Sequence, residues 1–465
     1  MTVAYPGRWN SAAAAASTRS IAIIGGGASG VLLAAHLLRS RDPGLDIVII
    51  EKRISLGRGL AYSTHLPDHL LNVRASNMSA FADDPDHFVR WLKACNIPIG
   101  DPTTYFAPRR LYGEYLGELL NEPQKENNPS GRLRIIDAEC VGILERDENL
   151  ELRLADGSSV VTRQCVLATG HDRLTGRGQS LLASSGADGA PLPEPTDRVL
   201  IVGTGLSMVD TCLSLMLNGH KGQIVAVSRR GLLPAVHSKT SPVVLQQADV
   251  PLGNGLPEFV RWFRDLVRST EGRGGGWRDV VDGLRPHNQS IWQSWSDASK
   301  RQFFRHLKAR WDIHRHRMAP QVSERLSEAI ADGRLRMIAG RMLDVSSVGM
   351  GFAARLHHRN SQIVEEIQVA RIYDCAGVIA DPEKSSNPLI RSLLDAGTAR
   401  ADRLHIGLDV STDGALFSQQ GMRNDRIFAV GPLTRGTFLE IEAIPDIRVQ
   451  CQRLATALLS QPSSM

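Results

Sequence analysis

Apolar and polar positions follow three rhythms along this chain. In the first, "IAIIGGGASGVLLAAHLL" (Ile21–Leu38) and "VLIVGTGLSMVDTCLSL" (Val199–Leu215) each run apolar for four residues, break at glycines, and resume with helical spacing. An unbroken apolar run predicts a strand buried on both faces of a parallel sheet, and the spacing after it predicts a packed helix. The second rhythm alternates. Residues 132–170 and 334–377 both begin Arg-Leu-Arg and pass through β-like runs with turn signals. They close on the small tripeptides Ala168-Thr169-Gly170 and Cys375-Ala376-Gly377. The echo predicts one supersecondary plan used twice: a strand, a small meander, then a return strand. The third rhythm, over about 250–330, is helical and rich in tryptophan, including a Trp292/Trp295 pair.

The first break carries G-x-G-x-x-G on Gly25, Gly27 and Gly30. Such glycines permit a sharp turn, let backbone approach a pyrophosphate, and let helix pack on strand. The helix that follows offers free N–H groups and a positive dipole end to phosphates. The next strand, "LDIVIIEK", ends in Glu51, at the distance expected for an acid that grips a ribose diol. A 2′-phosphate beside Glu51 would meet like charge, so this loop predicts FAD or NAD and excludes NADP.

The second break keeps Gly203 and Gly205 but puts Met208 at the third position. Its next strand, "GQIVAVSRRG", ends in Ser228-Arg229-Arg230 instead of an acid. Arginine pairs bidentately with phosphate and a hydroxyl adds a donor. At roughly 1.5–3 kcal/mol per charge-assisted bond, two such contacts would favour NADPH over NADH by on the order of 10²–10⁴. The bland alternative is a solvated charge pair. Ser29 and Ser207 in the helix first turns, Lys52 beside Glu51, and Gly170 and Gly431 at strand ends complete the candidate cofactor-binding set.

Length and charge add limits. At 465 residues the chain calls for more than one core. Its net charge of +5 is too small to imply nucleic acid, and no apolar stretch is long enough to cross a bilayer. Six scattered cysteines without C-x-x-C read as buried, reduced thiols, with the cytoplasm as the default compartment. The plan is therefore α/β, with two Rossmann-like dinucleotide-binding domains. Residues 1–19 form a disordered tail. Residues 20–195 with 372–465 form a discontinuous FAD-binding domain. Residues 196–371 form an NAD(P)-binding domain with a helical insertion at about 250–330.

These stretches resemble the two-dinucleotide-binding-domain flavoproteins, with FAD at the first loop and NADPH at the second. More narrowly they are similar to bacterial FAD-NAD(P)-binding proteins of the YdhS type, related to flavin-dependent N-monooxygenases. The stretches that carry the likeness are "GRGLAYST" (Gly57–Thr64), "LNVRASNMS" (Leu71–Ser79), "GTGLSMVD" (Gly203–Asp210), "SRRGLLP" (Ser228–Pro234), "RHLKARWDIHRHRMAP" (Arg305–Pro320) and "GPLTRGTFLEIEAIPDIR" (Gly431–Arg448). The resemblance implies that Arg58, Asn72 and Met78 line the flavin. It also implies a monooxygenase that forms a C4a-(hydro)peroxyflavin with molecular oxygen and hydroxylates a small substrate, such as the amino group of an amino acid. One departure is Gly431-Pro432, where the superfamily often places an aspartate on the ribityl chain, so backbone would have to do that work or the aspartate's role lies elsewhere. Pro445 marks the start of a helix whose N-terminus could face the flavin.

Chemistry of this kind is centred on the flavin, so no side chain is assigned as catalytic. The His/Arg run His306, Arg310, His314, Arg315, His316, Arg317 matches no zinc pattern, and no metal is expected. Steps of four from His306 predict one helix face. That face is solvated, or contacts NADPH phosphates, or binds a carboxylate substrate through Arg310, His314 and Arg317. Two other activities fit the same motifs: a flavin reductase or dehydrogenase feeding a partner, and a non-catalytic redox or nucleotide sensor. The pattern sets no oligomeric state.

Overall fold

The computed structural model describes residues 19–40, 42–53, 55–59, 61–64, 66–120, 132–171, 183–184, 193–377 and 381–460. The predicted tail lies outside them except for Arg19, which already begins the first strand. The chain divides into two compact units. One comprises residues 1–65, 74–173 and 379–465, the other residues 66–73 and 174–378.

The first unit is built on a six-stranded sheet in the order β15-β16-β7-β1-β2-β3. Its strands are β1 (Arg19–Ile24), β2 (Leu45–Glu51), β3 (Leu133–Asp137), β7 (Gln164–Leu167), β15 (Ala415–Phe417) and β16 (Arg423–Ala429). β4 (Cys140–Glu145), β5 (Leu150–Leu154) and β6 (Ser159–Thr162) form a separate antiparallel meander. β1 pairs in parallel with β2 on one side and β7 on the other. Chain order reverses there, and a crevice opens at the carboxyl ends. Ile21, Ile23, Ile47 and Ile49 are buried, as an apolar run in a central parallel strand requires.

The second unit repeats the scheme. β9 (Val199–Val202), β10 (Ile224–Ser228) and β11 (Leu335–Val348) run in parallel. β11 then folds back through β12 (Gly351–His358) and β13 (Val364–Val369), and β14 (Arg371–Asp374) returns beside β9. β8 (Ala183–Ser184) adds the outer strand next to β14. The two copies differ in their meanders. In this unit the first meander strand continues directly from the 14-residue β11, which is irregular between Met342 and Asp344.

Boundaries drawn from sequence at 195/196 and 371/372 need correction. β8 and β14 both belong to the second sheet, because each hydrogen-bonds into its ladder. Residues 66–73 also belong to the second unit, where His69 Nε2 meets Ser214 Oγ at 2.9 Å and the ring of His237 bonds the Asn72 carbonyl at 3.0 Å.

Between β10 and β11 the chain is helical, including Leu256–Glu271, Trp277–Leu284, Asn288–Ser294, Lys308–Arg315 and Pro320–Ala331. Trp292 is fully buried, and Trp295 packs on Phe259 and Phe303 at ring separations of 5.2 and 5.7 Å. This aromatic core explains the tryptophan concentration. Of the six cysteines, all are free thiols; five are buried as expected, and Cys95 is exposed. Among the described residues, no helix is long and apolar enough to cross a membrane.

Candidate functional site

Each sheet presents one glycine loop at its point of reversal. Gly25 has φ +110° and Gly203 has φ +111°, a region that L side chains rarely adopt. A β-carbon on Gly25 would collide with the carbonyl oxygen of Ala168, and one on Gly203 with that of Cys375. The echoed tripeptides are therefore the surfaces against which the two loops close. The N–H of Gly25 donates to Ile50 O, and that of Gly203 to Val227 O, both at 2.8 Å. Gly27 and Gly205 each precede a helix in extended conformation, Ala28–Leu38 and Leu206–Leu217. Gly30 admits no β-carbon, which would strike Gly25 O, whereas Met208 at the matching position is buried and receives the Cys212 thiol at 3.4 Å.

The residue ending the second strand reaches back to the middle of the loop in both units, with different chemistry. Glu51 accepts the Gly26 N–H at 2.7 Å and the Arg53 N–H at 3.0 Å. In register with it, Ser228 Oγ lies 2.8 Å from Thr204 Oγ1. Thr204 spends its own proton on Leu232 O at 2.6 Å, so Ser228 must donate to Thr204 while accepting the Gly231 N–H at 3.0 Å. This corrects the reading of Ser228 as a phosphate donor, because its proton is committed inside the protein. Thr204 was missed; its only sequence signal is a hydroxyl at the centre of a glycine loop.

The arginines that follow part company. Arg229 is exposed and makes no hydrogen bond or ion pair with the described residues, whereas Arg230 Nη2 donates to His306 O at 3.2 Å. Ser207 is exposed in the first turn of its helix.

Around the first loop, Gly57 donates to Gly26 O at 2.8 Å, and a β-carbon on Gly27 would lie 3.9 Å from Gly59 Cα. The segment "GRG" thus crosses directly over the loop. Arg58 between these glycines is half-buried, and no described residue pairs with its guanidinium. Lys52 points elsewhere: it is half-exposed, with Nζ 2.6 Å from Glu139. Met78 is buried in the first unit, and Asn72 belongs to the second.

Gly170 (φ +73°) follows β7, and Gly431 (φ +74°) follows β16. A β-carbon on Gly431 would strike Ser29 Oγ, which fixes the turn against the loop. Its N–H donates to Gln450 Oε1 at 2.8 Å, Gln450 Nε2 donates to Thr434 Oγ1 at 2.9 Å, and Thr434 donates to Gly431 O at 2.8 Å. Backbone donors at Gly431-Pro432 are therefore not open to a ligand: one is taken and proline has none. This corrects the expectation that backbone there replaces the aspartate. The C-terminal helix Ile444–Ser460 supplies Gln450 and has Pro445 in its first turn.

At the carboxyl ends of β7 and β16 the first unit opens a cleft of about 480 Å³, its mouth included, whose walls include Thr169, Gly170, His171, Asn387, Leu433 and Arg435. Burial lowers the His171 pKa, with the nearby Glu442 opposing and Arg435 adding to the fall. Arg435 Nη2 donates to His171 Nδ1 at 3.2 Å and also pairs with Glu442. At the cleft's edge Asp381, Glu383 and His405 bring their ligand atoms within 4.8 Å of one another. Lys384 Nζ, 3.0 Å from Asp381, already supplies a cation there.

The three candidate substrate residues do not form one surface. Arg310 is exposed on Lys308–Arg315, His314 is half-buried against Trp277 at 4.4 Å, and Arg317 is only 2% exposed. A π-helical turn at Phe303–Leu307 offsets His306 from the line of Arg310 and His314. Burial and the guanidinium groups of Arg278 and Arg317 lower the His314 pKa. Arg317 pairs with Asp282 inside the helical region. Arg317→Ala is expected to cost about 3 kcal/mol by leaving Asp282 without its buried partner, read as a lowered thermal midpoint with an unchanged substrate KM.

Two reversal-point loops, one closed by a carboxylate and one by hydroxyls, belong to an α/β fold with two dinucleotide-binding units. It is the fold of flavoproteins that carry both FAD and a nicotinamide site. Residues 22–172 match a family described as FAD-NAD(P)-binding. No curated protein matches the chain in sequence. Solved structures do resemble it. The ornithine N-hydroxylase of Kutzneria sp. 744, with reduced FAD, NADP+ and L-ornithine, has a TM-score of 0.62 at 15% identity, covering 94% of this chain and 98% of its own. The reduced form of an ornithine hydroxylase from Pseudomonas aeruginosa gives 0.64 at 15% identity, covering 95% and 98%. An L-lysine 6-monooxygenase from Pseudomonas syringae gives 0.63 at 18% identity, covering 94% and 98%. Thioredoxin reductase of Lactococcus lactis is similar at 0.53 and 13% identity, covering 95% and 99%. At these identities the likeness is one of fold.

Proposed function

We propose that this chain is an FAD- and NADPH-dependent monooxygenase of the YdhS type that hydroxylates the amino group of an amino acid, using molecular oxygen. The observation that carries the reading is the difference between the two strand ends. Glu51 is held on the first loop by backbone N–H groups, ready to accept from a ribose diol. Ser228 stands in the same register without charge, and Arg229 beside it is exposed with no partner among the described residues, so the second loop tolerates and attracts a 2′-phosphate. The amino-acid substrate is supported by the N-hydroxylases among the similar structures.

The residues of the first unit fit FAD. Gly27 and Gly59 meet at the crossing, where backbone lies open to a phosphate chain, and Arg58 brings to it a guanidinium that no described residue pairs with. Gly25, Gly27 and Glu51 would hold the adenosine half, with Ser29 and Gly431 shaping the turn beside it. In the second unit Gly203, Gly205 and Arg229 would hold NADPH, while Thr204 and Ser228 keep the loop in shape. When bound, FAD would supply hydride acceptance and reactivity toward oxygen, which this chain's side chains lack.

The test is a spectrum of the purified protein mixed anaerobically with NADPH or NADH, then with oxygen and a panel of L-amino acids. Expected are a bound yellow flavin, faster bleaching by NADPH, and a hydroxylamine product with one amino acid. A colourless protein that FAD does not reconstitute would overturn the cofactor assignment. Reoxidation yielding only peroxide with every amino acid would overturn the monooxygenase.

A further inference from the structure

The cleft at the ends of β7 and β16 gathers two donors, His171 Nε2–H and Arg435 Nε–H, that find no acceptor among the described residues. His171 receives a proton from Arg435 on Nδ1, so its own proton sits on Nε2 and the ring acts as a donor. Burial disfavours the charged form of that ring. Arg435, paired with Glu442 through Nη2, stands in the same wall, and its buried Nε–H has no acceptor among the described residues. A buried donor left without an acceptor costs about 1–3 kcal/mol, which a ligand oxygen would recover. Facing them, Asn387 caps the helix Pro388–Asp395 by accepting the Leu389 N–H at 3.0 Å, and Asn387 and Ile390 turn the helix's positive end toward the cleft. Of the acidic groups nearby, Asp381 is paired with Lys384 and accepts the Glu383 N–H, Glu442 shares the Arg435 guanidinium, and the Glu383 carboxylate lies at the exposed edge, 3.6 Å from His405.

We propose that this cleft is a binding site for a small carboxylate, received by His171 Nε2–H and Arg435. An Nε–H without an acceptor among the described residues, a ring N–H donor and a helix N-terminus together form a setting for an oxyanion. Arg435 has a double part: it meets the carboxylate and holds His171 in the donating tautomer. The ligand is the carboxylate end of the substrate or a free carboxylate that modulates the protein, and both share this chemistry. If it is the substrate, the inference rests on the function proposed above; the binding step does not.

Calorimetric titration of the full-length protein as purified, with succinate and separately with L-aspartate, tests the site without turnover. At least one probe is expected to bind. His171→Leu and Arg435→Met are each expected to weaken it about tenfold or more, as loss of a charge-assisted or buried donor implies. His171→Gln, which keeps an N–H donor, should stay within about threefold. A purely structural His171–Arg435 contact would lower the thermal midpoint and leave the affinity of the folded variants unchanged, which would overturn the proposal. So would the absence of binding by either probe. Consumption of L-aspartate with NADPH oxidation identifies the substrate. A change in NADPH oxidation rate with succinate left intact identifies a modulator. Binding without any NADPH oxidation keeps the site and overturns the function.

Discussion

Gly203→Ala is expected to yield yellow protein that NADPH no longer reduces quickly, and Gly25→Ala to yield protein that purifies without flavin. The two changes are alike in physics. Each puts a side chain at a φ near +110°, at a backbone cost of about 1–3 kcal/mol, and each drives a β-carbon into a carbonyl, of Cys375 or of Ala168. The loop must move away from its tripeptide to relieve the clash, and the N–H groups that follow then lose the position needed for a pyrophosphate. The consequences diverge only because the loops hold different dinucleotides. Absorbance of the purified proteins and anaerobic stopped-flow with NADPH separate them. Flavin retained at full occupancy in Gly25→Ala would place FAD elsewhere.

Ser228→Glu is expected to invert nicotinamide preference. The change restores at Ser228 the acid that Glu51 provides in the same register of the first sheet. A carboxylate about 4 Å from a 2′-phosphate costs on the order of 1–4 kcal/mol, a loss of roughly 10- to 10³-fold for NADPH. NADH gains an acceptor for its diol. Arg229→Ala should cost NADPH about 10- to 100-fold and leave NADH unaffected, as expected of one lost charge-assisted contact. Arg230→Ala behaves differently: it frees the His306 carbonyl in the π-helical turn and should affect both cofactors alike. The ratio of kcat/KM values for the two cofactors reads all three. Equal loss for both in Arg229→Ala would remove it from the phosphate site.

Much of the fold was legible because its signals are local. Four apolar residues followed by G-x-G specify strand, turn and helix within a dozen positions, and the echoed tripeptides mark the surfaces each loop needs. What escaped depends on partners far apart in the chain. Gln450 tying Gly431 to Thr434, Ser29 beneath Gly431, and Arg435 beside His171 leave no periodic trace. Arg317 misled because its run of basic residues reads as a solvated face, while its pairing with Asp282 draws it inside. The boundary near 195 misled because β8 is two residues long, too short to declare itself as a strand.

The interleaving of the two units also sets a schedule for synthesis. The first unit begins at the N-terminus, yet its sheet lacks β16, next to β7, until residues 423–429 exist, and its closing helix ends at Ser460. The second unit has its full complement once residue 378 has been made. At ~5–20 residues per second, the half-built first sheet waits roughly 4–16 s on the ribosome while the later-starting unit is already whole. During that interval β7 has an unpaired edge where β16 will dock. The vulnerable moment of this protein's life, for chaperones and for aggregation, is therefore the wait for the residues after 378, and truncations in that region should act through the yield of folded chain before they act through chemistry.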